Sequence, residues 1–213
     1  MNNKEKPNNE LYGNHEDKYH SKNLISRYLV SNFINNIEKL LKSIPQIGVT
    51  RICEVGCGEG ELLKITNSIF PDAELNAIDI SNEIIEIAKR NCGGIPIEFS
   101  VQNAEDLDKF PDAYFDVVIC CEVLEHLSNP RKGIEEVFRI GNNYVLVSVP
   151  NEPIWRILNI MRGKYIRYLG NTPGHLNHWC ITTFQGFLID PDFKMVASNY
   201  PFPWQMILLQ RKS

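Results

Sequence analysis

The sequence predicts a doubly wound α/β fold in a single domain, with helices on both faces of an open, largely parallel sheet. Three observations predict it. From about residue 50 to about residue 150, short Val/Ile-rich runs alternate with polar stretches of helical period, the pattern of consecutive βα units. The stretch "EVGCGEGELL" at 54–63 sets Gly56, Gly58 and Gly60 between an apolar run and a helix start, at the sheet edge where ligands bind. A chain of 213 residues, 43% of them hydrophobic, is long enough for one substantial core and short for two.

Residues 1 to about 20 are rich in Asn, Lys, Glu and His, and are expected to be a mobile arm in the absence of ligand. Leu24, Tyr28, Ile34, Ile37, Leu40 and Leu41 then recur at helical spacings, so an amphipathic helix is expected from Ser21 to just before Pro45. Strands are expected near 51–55, 74–79, 97–102, 115–121 and 144–149, with helices over 60–69, 82–91 and 130–139. The last helix is punctuated by Asn129 as N-cap, Pro130 at its first position and Gly141 just past its end. After Pro150 the stretch "NEPIWRILNIMRGKYIRYLGNTPGHLNHWC" is aromatic and basic and reads as an insert at about 151–181 within a core spanning 46–213. Trp155, Leu158 and Met161, at i, i+3 and i+6, read as packing positions. A helix near 182–190 and runs at 194–200 and 204–210, the two runs joined by the "PFP" turn, complete the sheet.

A net charge of −4 and a pI near 5.8 disfavour broad binding to nucleic acid or to an anionic membrane. The six cysteines form no CxxC pair, and most fall in or beside runs that read as buried strands, which suits a reducing, cytoplasmic setting. The first residues are too polar for a secretory signal, and no apolar run approaches the roughly 20 residues that cross a bilayer.

The glycine loop points to a nucleotide-like ligand, but its third glycine arrives one residue too early for the dinucleotide fingerprint, whose place is taken by Glu61. Glu54, Glu59 and Glu61 would also meet a pyrophosphate with three acids. A phosphate-free adenosine carrying a sulfonium cation, S-adenosylmethionine, suits such a loop better. Asp79 ends the next expected strand 19 positions after Gly60, where a carboxylate accepts from both ribose hydroxyls.

Glu54 to Gly60 match E/DxGxGxG, and from about residue 20 to residue 149 the chain resembles the class I S-adenosylmethionine-dependent methyltransferases, the type 11 group in particular. The resemblance implies a Rossmann-like sheet of seven strands, six parallel and the last antiparallel. It also implies that residues 1–45 form an arm and lid helix, with Tyr19 and Tyr28 over the cofactor. The implied cofactor contacts are Glu54, Gly56, Gly58, Gly60, Asp79, Ile80, Asn103, Ala104, Glu105 and Cys121. Asn103 replaces the usual Asp beside the adenine, which implies weaker but retained binding, because Asn keeps an acceptor oxygen.

"CCEVLEHLSNP" leaves the fourth strand with Glu122, Glu125 and His126, which a helical turn would bring to one face, while "PGHLNHW" adds His175 and His178. This mixed oxygen and nitrogen set suits Mg or Mn and tolerates Zn. ExxEH with a later His resembles the ubiquinone-biosynthesis O-methyltransferases and the small-RNA 3′-terminal 2′-O-methyltransferases, which carries over Glu122, Glu125, His126 and His175 as metal ligands. Without a metal, His126 or His178 is the natural general base. The reading is a methyltransferase acting on a hydroxyl of a small acceptor. An RNA-terminal ribose methyltransferase and a non-catalytic S-adenosylmethionine-binding protein stay open beside it.

Overall fold

The structure, a computed structural model, describes residues 24–212. The expected arm with Tyr19, and the expected helix start at Ser21, lie outside the described residues. Strands β1 (Arg51–Val55), β2 (Glu74–Asp79), β3 (Ile97–Val101), β4 (Phe115–Cys121), β5 (Gly141–Pro150), β6 (Phe193–Asn199) and β7 (Trp204–Arg211) form one sheet in the order β3-β2-β1-β4-β5-β7-β6. Neighbours from β3 through β5 pair in parallel, and β7 runs antiparallel to both β5 and β6, so β7 alone opposes the other strands. The six-plus-one arrangement is the expected one.

The helices are α1 (Leu24–Lys42), α2 (Glu61–Ile69), α3 (Asn82–Asn91), α4 (Pro130–Ile140), α5 (Ile154–Met161) and α6 (Ile181–Phe187). From β1 the chain builds outward through β2 and β3, then returns to place β4 on the other side of β1. This reversal opens a crevice at the carboxyl ends of β1 and β4. The central strands are buried on both faces, which is why β4 from Val117 to Cys121 reads as a continuous apolar run rather than an alternating one.

Sequence periodicity misjudged part of α1. Phe33, Ile37, Leu40 and Leu41 are its buried face, whereas Leu24 is 77% and Tyr28 70% exposed. At 19 residues α1 is about twice the length of its neighbour α2 at 9, so its first turns extend past the surface it packs on. At α4 the side chain of Asn129 accepts from the backbone N–H of Lys132, and Pro130 opens the helix as expected. Gly141, however, is extended and begins β5, with no left-handed turn after the helix.

Asp116 in β4 ties the amino end of the sheet together. Its Oδ2 accepts from Thr50 N at 2.8 Å, Thr50 Oγ1 at 2.9 Å and Arg51 N at 3.1 Å, and its Oδ1 from the side-chain amides of Asn142 and Asn143. Burial pushes its pKa up, but the hydrogen bonds from Thr50, Arg51 and Asn142 outweigh burial and hold it below the ordinary carboxylate value. Asp116→Ala is therefore expected to lower stability by about 1–3 kcal/mol at neutral pH. A depressed folded pKa stabilises above the unfolded value of about 3.9, so the difference should persist there and vanish as pH falls through the folded pKa. Urea titrations of both proteins across pH 2–7 check the magnitude and its sign.

Candidate functional site

The loop from Val55 to Glu61 is built by three left-handed glycines with three different environments. Gly56 (φ +75°) lies against Val123, so closely that a Cβ there would collide with the valine side chain. Gly60 (φ +89°) turns toward α3, where a Cβ would lie 2.6 Å from Cys92 Sγ. Gly58 (φ +52°) would set its Cβ in open space, with nothing within 4 Å. The N–H groups of Gly56 and Cys57 both donate to Ile78 O, at 2.7 and 2.8 Å, folding the loop over the end of β2. Asp79 completes this junction by accepting from Gly58 N at 3.1 Å and Ser81 N at 3.0 Å.

The loop roofs a cavity of about 460 Å³ at the crevice. Of the residues expected at the cofactor, Glu54, Gly56, Gly58, Asp79, Ile80, Asn103, Ala104, Glu105 and Cys121 line it, and Gly60 does not, because its α-carbon packs on α3. Among the described residues that line it, six are carboxylates (Glu54, Glu59, Glu61, Asp79, Glu105 and Glu122) and none is Lys or Arg. Glu54 is buried, its Oε2 has no hydrogen-bond partner, and its pKa is raised well above the ordinary range, first by burial and then by the charge of Asp79. Asn103 Oδ1 accepts from Glu105 N at 2.9 Å, which leaves that oxygen a second lone pair, and Glu105 Oε1 accepts from Asn129 N at 2.8 Å.

The acids and histidines divide into two groups, contrary to the single helical face expected. Glu122 sits in the left-handed region (φ +59°) ahead of a 3-10 turn, Leu124–His126, so it does not share that turn. Its Oε1 accepts from Ser148 Oγ at 3.2 Å and its Oε2 from Trp204 Nε1 at 2.7 Å. Glu125, His126 and His175 do converge, each offering a ligand atom, with those atoms within 4.8 Å of one another. Glu125 and His175 are buried, and His126 is the member that lines the cavity. His178 is exposed, with Nε2 2.7 Å from Asn171 Oδ1, and burial, then Arg156, lowers its pKa.

The insert reaches this cluster through its backbone. Leu176 N and Asn177 N both donate to Glu125 O, and the Asn177 amide donates to Leu124 O and Leu127 O. His126 Nδ1 lies 2.9 Å from Gly174 O. A carbonyl only accepts, so in the neutral ring Nδ1 carries the hydrogen and Nε2 presents its lone pair. Val30 and Phe33 of α1, and Trp204 of β7, also line the cavity, none of them singled out in the sequence. Trp204 packs on Phe33 at 5.0 Å and on Trp155 at 5.4 Å, and Trp155 stacks on His175 at 6.0 Å, a ladder spanning three separate segments.

Residues 53–143 match the family profile described as "Methyltransferase domain". Similar curated proteins include the ubiquinone biosynthesis O-methyltransferase of Xanthomonas euvesicatoria pv. vesicatoria, 27% identical over 129 residues, 58% of this chain and 53% of that one. That of Xanthomonas oryzae pv. oryzae is 29% identical over 124 residues, 56% of this chain and 51% of that protein. The chain thus spans about half the length of the curated relatives it matches. Among solved structures, the magnesium protoporphyrin IX methyltransferase of Synechocystis PCC 6803 with bound SAH superposes with a TM-score of 0.68 at 18% identity, over 92% of this chain and 91% of that chain. A SAM dependent methyltransferase of Aquifex aeolicus gives 0.64 at 18%, over 82% and 89% respectively. At these identities the likeness is one of fold, and the seven-stranded sheet with its last strand antiparallel accounts for it.

The glycine environments separate packing from ligand space. Gly56→Ala should destabilise the protein by about 2–4 kcal/mol, adding steric collision with Val123 to a left-handed backbone. Gly58→Ala should cost only the backbone share, about 1–2 kcal/mol. Thermal melts of the two variants without ligand check this order.

Proposed function

We propose that the protein is an S-adenosylmethionine-dependent methyltransferase that methylates a hydroxyl of a small acceptor. The observation that carries this reading is a glycine-roofed cavity lined, among the described residues, by six carboxylates and no Lys or Arg, with a buried Glu54 oxygen lacking a partner. A phosphate would be repelled there, whereas an adenosine bearing ammonium and sulfonium charge is complementary. Asp79, with one lone pair of each oxygen beyond those given to Gly58 and Ser81, would accept from the ribose hydroxyls. Ile80 and Ala104 would cover the adenine, Asn103 would accept from its amino group, and Cys121 would close the far wall. The match to a methyltransferase domain, and the SAH bound in the Synechocystis neighbour, support the same ligand.

When bound, the cofactor supplies a methyl group already activated on sulfur. The chain's task is then alignment and removal of one proton. His126 lines the cavity, and Gly174 O holds its Nδ1, so Nε2 would take the acceptor hydroxyl's proton as the new O–C bond forms and the S–C bond breaks. The insert at about 151–181, which positions His126, would form part of the acceptor site. The convergence of Glu125, His126 and His175 favours a second reading in which these three hold a divalent cation, Mg, Mn or Zn, that lowers the pKa of the acceptor hydroxyl. Glu122, held by Ser148 and Trp204, would then join only from outside that group. The free, largely buried cysteines suit a cytoplasmic location.

Asp79→Ala should weaken S-adenosylhomocysteine binding by about tenfold or more, through loss of both the ribose acceptor and the loop anchor. Calorimetry reads this, and unchanged affinity would sink the cofactor reading. For the cation reading, Mn²⁺ titration of the wild type should show one site that His175→Ala removes. Absence of heat in the wild type leaves His126 as the base.

A further inference from the structure

We propose that Trp204 and Phe33, with Glu122 at the indole edge, form an aromatic corner that recognises the positive charge on the cofactor's sulfur. The corner's role rests on the cofactor reading and adds to it residues that the glycine loop does not reach. Phe33 of α1 and Trp204 of β7 both line the cavity, at 4% and 7% exposure. Their ring centroids are 5.0 Å apart, with the planes tilted by 58°. Trp204 Nε1 donates to Glu122 Oε2 at 2.7 Å, and Ser148 Oγ donates to Glu122 Oε1 at 3.2 Å, so a carboxylate that is itself held pins the indole. Trp155 packs on the same indole at 5.4 Å.

Position in the sheet assigns the charge. The strand order lays the lining residues out along the crevice, with β3 and β2 on one side of β1 and β4, β5 and β7 on the other. Asp79 ends β2, and Ile80, Asn103 and Ala104 follow β2 and β3, where they take the nucleoside in the proposed reading. Glu122 follows β4, and Trp204, opposite Pro150 in register, starts β7 at the carboxyl end of β5. The sulfur-bearing chain, leaving the ribose toward His126, therefore passes the aromatic corner. Two rings alone would suit any flat apolar group. The carboxylate selects a cation: an indole whose N–H donates to an anion gains electron density across its π face, and Trp is the best of the aromatic side chains at holding a cation there. Among the described residues that line the cavity, no Lys or Arg competes for that face. The attraction belongs to the charged cofactor alone. As the S–C bond breaks and the methyl passes to the acceptor oxygen, sulfur keeps the bonding pair and becomes neutral. The corner thus serves selection and exchange of the cofactor rather than the transfer step, in which the positive charge is already leaving sulfur.

The test is to produce the full chain with its three tryptophans replaced by singly or triply fluorinated tryptophan, which draws charge from the ring face with little change of shape. Trp155 and Trp179 do not line the cavity, so Trp204 is the labelled ring that a ligand meets. Calorimetry compares S-adenosylmethionine and sinefungin, both positively charged at this position, with S-adenosylhomocysteine, which is neutral there. Kd for the two cations should rise with each degree of fluorination, by about threefold to tenfold for the triply fluorinated protein, while Kd for S-adenosylhomocysteine stays within about twofold. Phe33→Leu keeps Trp204 and its bond to Glu122, and serves should the fluorinated protein not fold. It should shift the ratio of cation to neutral affinity by about twofold or more against the cations. A ratio that does not move, an equal loss for all three ligands as packing alone would give, or tighter cation binding on fluorination overturns the proposal. Normal binding of all three with a fixed ratio removes the corner and leaves the cofactor reading standing. A wild-type protein that binds none of them removes both.

Discussion

The site depends on one junction, the folding of the β1–α2 loop back over the end of β2. Two consecutive N–H groups share the carbonyl of Ile78, and Asp79, the next residue, grips Gly58 and Ser81 with its two oxygens. Backbone donors that would otherwise be unsatisfied at the mouth of a parallel sheet are thereby consumed within the loop. The consequence is positional: of the loop's three glycines Gly58 is the one left facing open space, and the carboxylates of Glu54 and Asp79 both line the cavity.

That clustering has an energetic cost that shapes the apo protein. Glu54 is buried beside another carboxylate, with one oxygen unpartnered and a pKa driven upward. A buried acid in this condition destabilises the empty site and is relieved by any cationic, hydrogen-bonding ligand that fills it. Perturbed titratable groups of this kind cluster at functional sites. No comparable tension exists at Asp116, on the opposite edge, where every contact is a donor. One carboxylate is fully engaged within the fold and the other keeps an unpartnered oxygen at the cavity, and their hydrogen-bond partners distinguish them.

The side of the cavity that carries His126 is organised differently, by docking of the insert onto the 3-10 turn after β4. Three donors from Leu176 and Asn177 meet carbonyls of that turn, and the docking brings His175 beside Glu125 and His126. The Trp155–Trp204–Phe33 ladder then joins insert, last strand and first helix around the cavity. Buried aromatic contacts of this kind contribute more than their area alone, and here they also fix the orientation of a histidine.

The sequence by itself determined the sheet, the helices between its strands, and the glycine loop with Asp79, because alternation, capping and left-handed backbone are local properties carried by neighbouring residues. It could not separate the three glycines, since what each Cβ would meet (Val123, Cys92 or empty space) depends on residues 32 to 67 positions away. It set Glu122 on one helical face with Glu125 and His126, whereas a positive φ at Glu122, which no local pattern announces, places it ahead of the 3-10 turn. Trp204, Phe33 and the outward face of Met161 were likewise invisible, for an apolar residue at helical or strand spacing reads the same whether it packs, lines a cavity or meets solvent. Only tertiary packing decides among those three, because it is set by which distant segment covers each side chain.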